Sequence, residues 1–200
     1  MLHKVRRCND GIFLDFYFSL LFQPVEKTGK VSVGSVMIIL REAIWKGAKH
    51  MDYNFYGWNS TPVSPVTDEY AGIKNQTDLY EALSHIWSAD TCAPRMRDEW
   101  TKENYTLGQC SVTAFLVQDI FGGKVYGILR SGGNYHCYNI VGDSEFDLTS
   151  EQFGDEVLDY TDNPEQDRAV HFEKEEKRLR YELLKTRLRE YCNQKYEELI

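Results

Sequence analysis

The alternation of apolar and polar positions is clearest in the second half of the chain. Leu79, Leu83, Ile86 and Trp87 recur at i, i+4, i+7 and i+8, the single apolar stripe of an amphipathic helix. Asn75 or Thr77 is the residue type that closes the first turn of such a helix. The stretch "SADTCAPRMRDEWTKENYTLG" has no period and contains Pro94, so it reads as loop. A second helix is expected to begin near Gly108 or Gln109. Val112, Phe115, Leu116, Ile120 and Phe121 make it apolar enough to be buried, and Gly122-Gly123 supplies the residue type that takes a left-handed C-terminal cap. Three short runs follow, "KVYGIL", "YHCYNIV" and "EFDLT", separated by the turns "SGGN" and "GDS". They predict an antiparallel meander. Thr149 or Ser150 suits the start of a short helix through "SEQF". Two helices followed by a meander make the fold class α+β.

The flanks are patterned differently. Near the end, Leu179, Leu183, Leu184, Leu188 and Tyr191 form a narrow apolar seam, with mixed charges on the other faces. Such a seam either packs on its own domain or pairs with a second copy as a homodimer, and packing is the commoner fate. Residues 1–50 hold two apolar runs, "IFLDFYFSLLF" and "VSVGSVMIILREAIW", neither with a clean period. Residues 51–75 mix Gly, Pro, Ser and Asn with aromatics and read as a linker or irregular loop. The expected organisation is an N-terminal extension over 1–75, an α+β core over 76–160, and a charged amphipathic helix within 161–200.

Composition narrows the classes. Hydrophobic residues make up 42% of the 200 and aromatics 14%, which supports a packed core and excludes wholesale disorder. The net charge of −8 is concentrated in the centre, where residues 76–160 carry five Lys/Arg against fourteen Asp/Glu. That segment repels phosphate backbones, so no nucleic-acid partner is expected. The five cysteines form no CxxC pair, which fits a reducing cytoplasm better than a disulfide scaffold. Lys4, Arg6 and Arg7 precede an apolar run in the manner of a signal peptide. Asp15 interrupts that run, no small-residue cleavage site follows, and it is too short for a membrane-spanning helix. The chain is therefore expected to be cytoplasmic, with no membrane partner.

The candidate chemistry centres on Cys110. At the start of the second helix a thiol feels the positive end of the helix dipole, which favours the nucleophilic thiolate. Gly108 before it leaves room for a substrate backbone. His136, in the middle strand, could take and return a proton. Asp147, in the next strand, could orient the imidazole. The hairpin register decides whether the last two meet. With a two-residue Gly142-Asp143 turn, Asp147 faces Tyr138 and His136 is its same-face diagonal neighbour, about 7–8 Å away at the backbone. With Gly142-Asp143-Ser144 as the turn, Asp147 faces Asn139 and its face belongs to Cys137. Gln109 and the backbone N–H of Cys110 are candidate oxyanion donors. Arg95, Arg97 and Trp100, in the preceding loop, could line a substrate cleft. Cys92, Cys110, His136, Cys137 and Asp147 include zinc-ligand types, but the short ligand spacings of zinc sites are absent, so no metal or cofactor is expected.

The segments "LGQC", "FGGKVYG", "HCYNIV" and "FDLT" resemble the core of transglutaminase-like and papain-like cysteine enzymes. In those folds the nucleophile opens a helix and the His and Asp follow on antiparallel strands. The resemblance implies Cys110 as nucleophile, His136 as base and Asp147 as orienting acid. It also marks Asn104, six residues before the thiol, where papain-like enzymes carry an amide that helps form the oxyanion hole. The longer pattern from "LYEALSHIW" to "RYELLKTRL" resembles the YunG-like family of small bacterial proteins, over about residues 77–190. The expected function is cysteine-dependent acyl transfer or hydrolysis of an amide or peptide-type bond in a small-molecule or peptide substrate. The alternative is a non-catalytic binding module for a small ligand or protein on the same fold.

Overall fold

The computed structural model describes residues 53–197. The two apolar runs of residues 1–50, and Cys8, lie outside the described residues. Helix α1 (Gln76–Ile86) begins where Asn75, in extended backbone, turns its Oδ1 onto the N–H groups of Thr77 and Asp78 at 2.9 and 3.0 Å. Of the two expected caps, Asn75 is therefore the one used. Leu79 and Leu83 are fully buried, with Tyr80 and Ala82 beside them. Helix α2 (Cys110–Phe121) is the centre of the core, with Val112, Phe115, Leu116, Val117 and Ile120 inaccessible. It stops at Gly122, whose φ of 75° lies in the left-handed region.

Strands β1 (Lys124–Leu129), β2 (Tyr135–Val141) and β3 (Ser144–Phe146) form an antiparallel sheet in the order β1-β2-β3. The protein is thus mixed α+β, with a three-stranded antiparallel sheet and packed helices. Val141 pairs with Ser144, so the β2–β3 connection is the two-residue Gly142-Asp143 turn. Gly142, with φ of 58°, occupies the first central position, where hairpin turns call for positive φ. The third strand is shorter than the predicted "EFDLT". Asp147 leaves the β2 ladder and donates its N–H to the carbonyl of Tyr56 at 2.9 Å.

Topology sets the direction of every element near the site. β1 runs back along α2 after the Gly122-Gly123 reversal, and β2 runs back along β1, so β2 is parallel to α2 and the two start at the same end. Asn139 Nδ2 donates to the Ala114 carbonyl at 2.9 Å, which ties the face of β2 that carries Cys137 and Asn139 to α2. The opposite face carries His136 and Tyr138. Tyr138 packs there against Tyr126 and Tyr160, with ring centroids 5.9 and 4.9 Å apart.

Two expectations change in the structure. The stretch read as a linker is irregular but it packs. Phe55 and Tyr70 are buried in the core, and Val66 donates its N–H to the Ile120 carbonyl at 2.7 Å. Its aromatics outweigh its turn residues, because each large ring buried withdraws much apolar surface from water. In the C-terminal helix α4 (Glu175–Glu197), which follows the short helix α3 (Arg168–Phe172), the predicted seam is rotated. Tyr181, Leu184, Leu188 and Cys192 are buried, whereas Leu179 is 55% exposed. The rotation follows from Tyr181, whose hydroxyl bonds Asp119 of α2 and accepts from Arg168. This stripe packs within the chain. Among the described residues, no helix is long and apolar enough to cross a membrane.

Candidate active site

Asp147 anchors the site. Its carboxylate is almost wholly buried, at 1% exposure, yet it accepts four hydrogen bonds. Oδ1 receives the N–H and hydroxyl of Thr149, both at 2.9 Å. Oδ2 receives the Tyr160 hydroxyl at 3.0 Å and His136 Nε2 at 2.5 Å. All four donors converge on one buried side chain, so both oxygens are fixed in position. The pairing with His136 is the diagonal contact that the two-residue turn requires.

His136 is 2% exposed. With Nε2 committed to Asp147, its Nδ1 is buried and makes no hydrogen bond of good geometry. Phe153, from the 3₁₀ turn Ser150–Phe153, stands edge-on to the imidazole at 4.7 Å between centroids, and the Arg130 guanidinium stacks on that phenyl ring at 4.7 Å. Arg130 is in turn held by both carboxylate oxygens of Glu156 at 2.8 Å. Burial would drive the imidazolium toward neutrality, but the charge and hydrogen bond of Asp147, together with Cys110, outweigh it and push the His136 pKa up to about 10.

Cys110 is the first residue of α2 and is half-buried. It stands at the end of the sheet where α2 and β2 both begin, so both faces of β2 are in reach. Its ionisation is governed by Cys137 on one side and His136 on the other. The Cys137 donor has the larger effect and His136 adds to it. Together they hold the Cys110 thiol well below the ordinary range against the opposing effect of burial. Cys137 moves the other way, because the neighbouring Cys110 sulfur and burial both disfavour its anion. The arrangement brings the Cys110 thiol, the His136 imidazole and the Asp147 carboxyl together, with the Cys137 thiol beside them.

The other sequence candidates stand apart from this group. Gln109 is inaccessible, its Nε2 donates to the Ser88 carbonyl at 3.0 Å, and its buried Oε1 has no hydrogen-bond partner. Trp100 Nε1 donates to the Tyr105 carbonyl at 3.1 Å. Asn104 lies in the turn before α2, where its backbone N–H reaches Thr101 Oγ1 at 3.2 Å. Arg95 and Arg97 are exposed on the 3₁₀ turn Pro94–Glu99. The structure gives none of these side chains a hydrogen bond to Cys110, His136 or Asp147. Gly108 does not open a path for a substrate. Its α-carbon faces Cys92, and an added Cβ would meet that sulfur at 2.6 Å and the Ala93 nitrogen at 3.0 Å. Its φ of 67° also requires glycine. Gly108→Ala is therefore expected to destabilise the fold by about 2 kcal/mol or more, combining left-handed strain and overpacking, as read from urea unfolding midpoints.

Sequence reasoning missed four supports of the site. Tyr160 holds Asp147, and Tyr56 stacks on Tyr160 with centroids 3.7 Å apart. Gln152 accepts from the Gly108 N–H at 3.3 Å and donates to the Thr149 carbonyl at 2.8 Å, linking the nucleophile loop to the Asp147 turn. Thr149 was legible, since an Asp followed two residues later by a Thr is the pattern of an Asx turn. A cleft of about 450 Å³ lies beside Tyr56, Glu151 and Tyr160 and does not include the three triad residues. Among the described residues, no group of three or more His, Cys, Asp or Glu is arranged to hold a metal ion.

Comparison with known proteins places this geometry in a family. The chain is 38% identical over 71 residues to a Bacillus subtilis (strain 168) protein named Uncharacterized protein YunG, a match that covers 36% of this chain and 56% of that protein. The chain thus spans little more than half the length of that relative. No solved structure matches the chain. A family model described as YunG protein matches residues 75–193, a span that runs from the cap of α1 through Cys110, His136 and Asp147 into α4, and the chain belongs to that family.

Proposed function

We propose that the chain is a cysteine-dependent acyl-transfer or hydrolytic enzyme acting on an amide or peptide-type bond, with a core of the papain-like or transglutaminase-like kind. One observation carries the reading: a fully bonded Asp147 fixes His136 through Nε2 and leaves Nδ1 for the thiol at the start of α2. Structural histidines and buried thiols are common singly, but this ordering of carboxylate, imidazole and depressed thiol is the arrangement that activates a nucleophile.

In the proposed cycle, the Cys110 thiolate attacks the acyl carbon and forms a C–S bond. The tetrahedral oxyanion collapses, the C–N bond breaks, and the leaving amine takes the His136 proton. Water or an acceptor amine then attacks the thioester while His136 takes its proton. The C–S bond breaks and the thiolate returns. The N–H of Cys110 at the helix start is a suitable donor to the oxyanion.

The test uses an activated acyl donor, p-nitrophenyl acetate, and intact-mass spectrometry of the full chain. The expected result is a single acetyl adduct on Cys110 that discharges to water or to added amine and is absent in Cys110→Ala. Acetylation spread evenly over the cysteines, or none at all, would overturn the reading and leave the binding module on the same fold.

A further inference from the structure

Cys137 is a second thiol at the site that takes no covalent part in the acyl-transfer cycle. It is 3% exposed, whereas Cys110 beside it is partly exposed. Their proximity follows from the register of the fold. Asn139 and Ala114 are joined by the hydrogen bond between β2 and α2. Two residues back along β2 from Asn139 is Cys137, about 6.8 Å away. Four residues back along α2 from Ala114 is Cys110, about 6 Å away. Because the strand and the helix run parallel, the two steps have the same direction and nearly the same length, and they bring the thiols level.

The other described cysteines differ. Cys92 is sealed beneath Gly108 and its thiol points to the Ala93 carbonyl at 3.5 Å. Cys192 lies in the buried stripe of α4. A partly exposed thiol at a helix start with a more deeply buried thiol beside it is the arrangement of an oxidisable cysteine and its resolving partner.

We propose that Cys110 and Cys137 form a reversible disulfide when the protein meets a hydroperoxide, with Cys110 as the oxidised thiol and Cys137 as the resolving one. The Cys110 thiolate attacks the outer oxygen of the hydroperoxide. The S–O bond forms, the O–O bond breaks, and the alkoxide leaves with the His136 proton as an alcohol. Cys137 sulfur then attacks Cys110 sulfur. The S–S bond forms, the S–O bond breaks, and the departing hydroxide takes the Cys137 proton as water. Two thiols and one hydroperoxide give one disulfide, one alcohol and one water, and an external dithiol reverses the change. The disulfide would switch off the acyl chemistry and shield Cys110 from irreversible oxidation. The inference rests on the reading of Cys110 as a nucleophilic thiol.

The experiment treats the full chain with tert-butyl hydroperoxide and maps non-reduced peptides by mass spectrometry. In parallel, a pH profile of iodoacetamide labelling is recorded on the untreated protein. The expected result is a Cys110–Cys137 linkage as the major product, with at least a tenfold loss of Cys110 labelling that dithiothreitol restores. Cys137→Ser is expected to leave a dimedone-reactive sulfenic acid at Cys110, and the wild-type peptide map decides the matter if that variant does not fold. Sulfinic acid at Cys110 with Cys137 free, or a linkage to Cys92, Cys192 or Cys8, would overturn the disulfide. In that case a low labelling midpoint for Cys110 leaves the acyl-transfer reading standing, whereas no oxidation together with an ordinary midpoint removes both.

Discussion

Replacing His136 with alanine is expected to move the midpoint of Cys110 alkylation upward, from well below the ordinary thiol value toward the free-thiol value of about 8.5. The variant loses the imidazolium while burial continues to disfavour the thiolate. The hydrogen bonds from the Cys137 side chain and backbone remain to favour it, so the return is partial. At pH 6, a thiol returned all the way to about 8.5 would be ionised in roughly one molecule in 300, which sets the upper bound of the loss. A more basic thiolate is intrinsically more reactive, with a Brønsted slope of about 0.4–0.5 for thiol exchange, so part of the loss is recovered. A net fall of roughly tenfold in labelling rate at pH 6 is the expected outcome, and the midpoint is the sharper readout. Peptide mass spectrometry across pH 5–9 checks it, with Cys192 as an internal control, since burial raises that thiol to about 11. If the wild-type and variant midpoints coincide, the imidazole does not poise the thiol.

The second large effect is expected at Asp147. Alanine there removes the acceptor for His136 Nε2, the Tyr160 hydroxyl, and the Thr149 N–H and hydroxyl at once. Removing one partner of a buried charged pair costs about 3–5 kcal/mol, much of it from the unmatched partner left behind. At roughly 2–4 °C per kcal/mol for a chain of this size, the melting temperature should fall by about 6–20 °C. Asp147→Asn preserves the shape and separates charge from packing. The folded-state pKa of His136 is raised to about 10 from 6.5. The stability it contributes is therefore complete below about pH 6.5 and is lost as pH rises toward 10. Asp147→Asn should remove most of this dependence, so the stability gap between the two proteins narrows from pH 6 to 10. The comparison belongs in a Cys110→Ala background, because the depressed thiol titrates with the opposite sign. A gap that does not change with pH would show that Asp147 acts only by packing.

Much of the framework was legible because it rests on local terms. The stripe of α1, the continuous apolar surface of α2, the double-glycine stop and the strand runs all report short-range preferences written into neighbouring residues. The pairing of His136 with Asp147 was legible as one of two registers. The Gly142-Asp143 turn selects between them, since a slip of one residue would put Cys137 on the Asp147 face instead. The Thr149 contribution was likewise encoded within two residues of the aspartate.

What the tertiary structure alone decided are contacts between residues far apart in the chain. Tyr56 and Tyr160 clamp Asp147 from segments that carry only loop signals in the sequence. The hydrogen bond from Gln109 Nε2 to the Ser88 carbonyl joins residues 21 apart in the chain. The buried face of α4 turned away from Leu179 because Asp119 and Arg168 capture the Tyr181 hydroxyl. The meeting of Cys110 with Cys137 depends on α2 and β2 running parallel and starting at one end. Periodicity reports which face of an element is apolar. Which partner covers that face, and which polar atoms are left to act, is settled by the packing of whole elements against one another, where a one-residue shift changes every long-range contact.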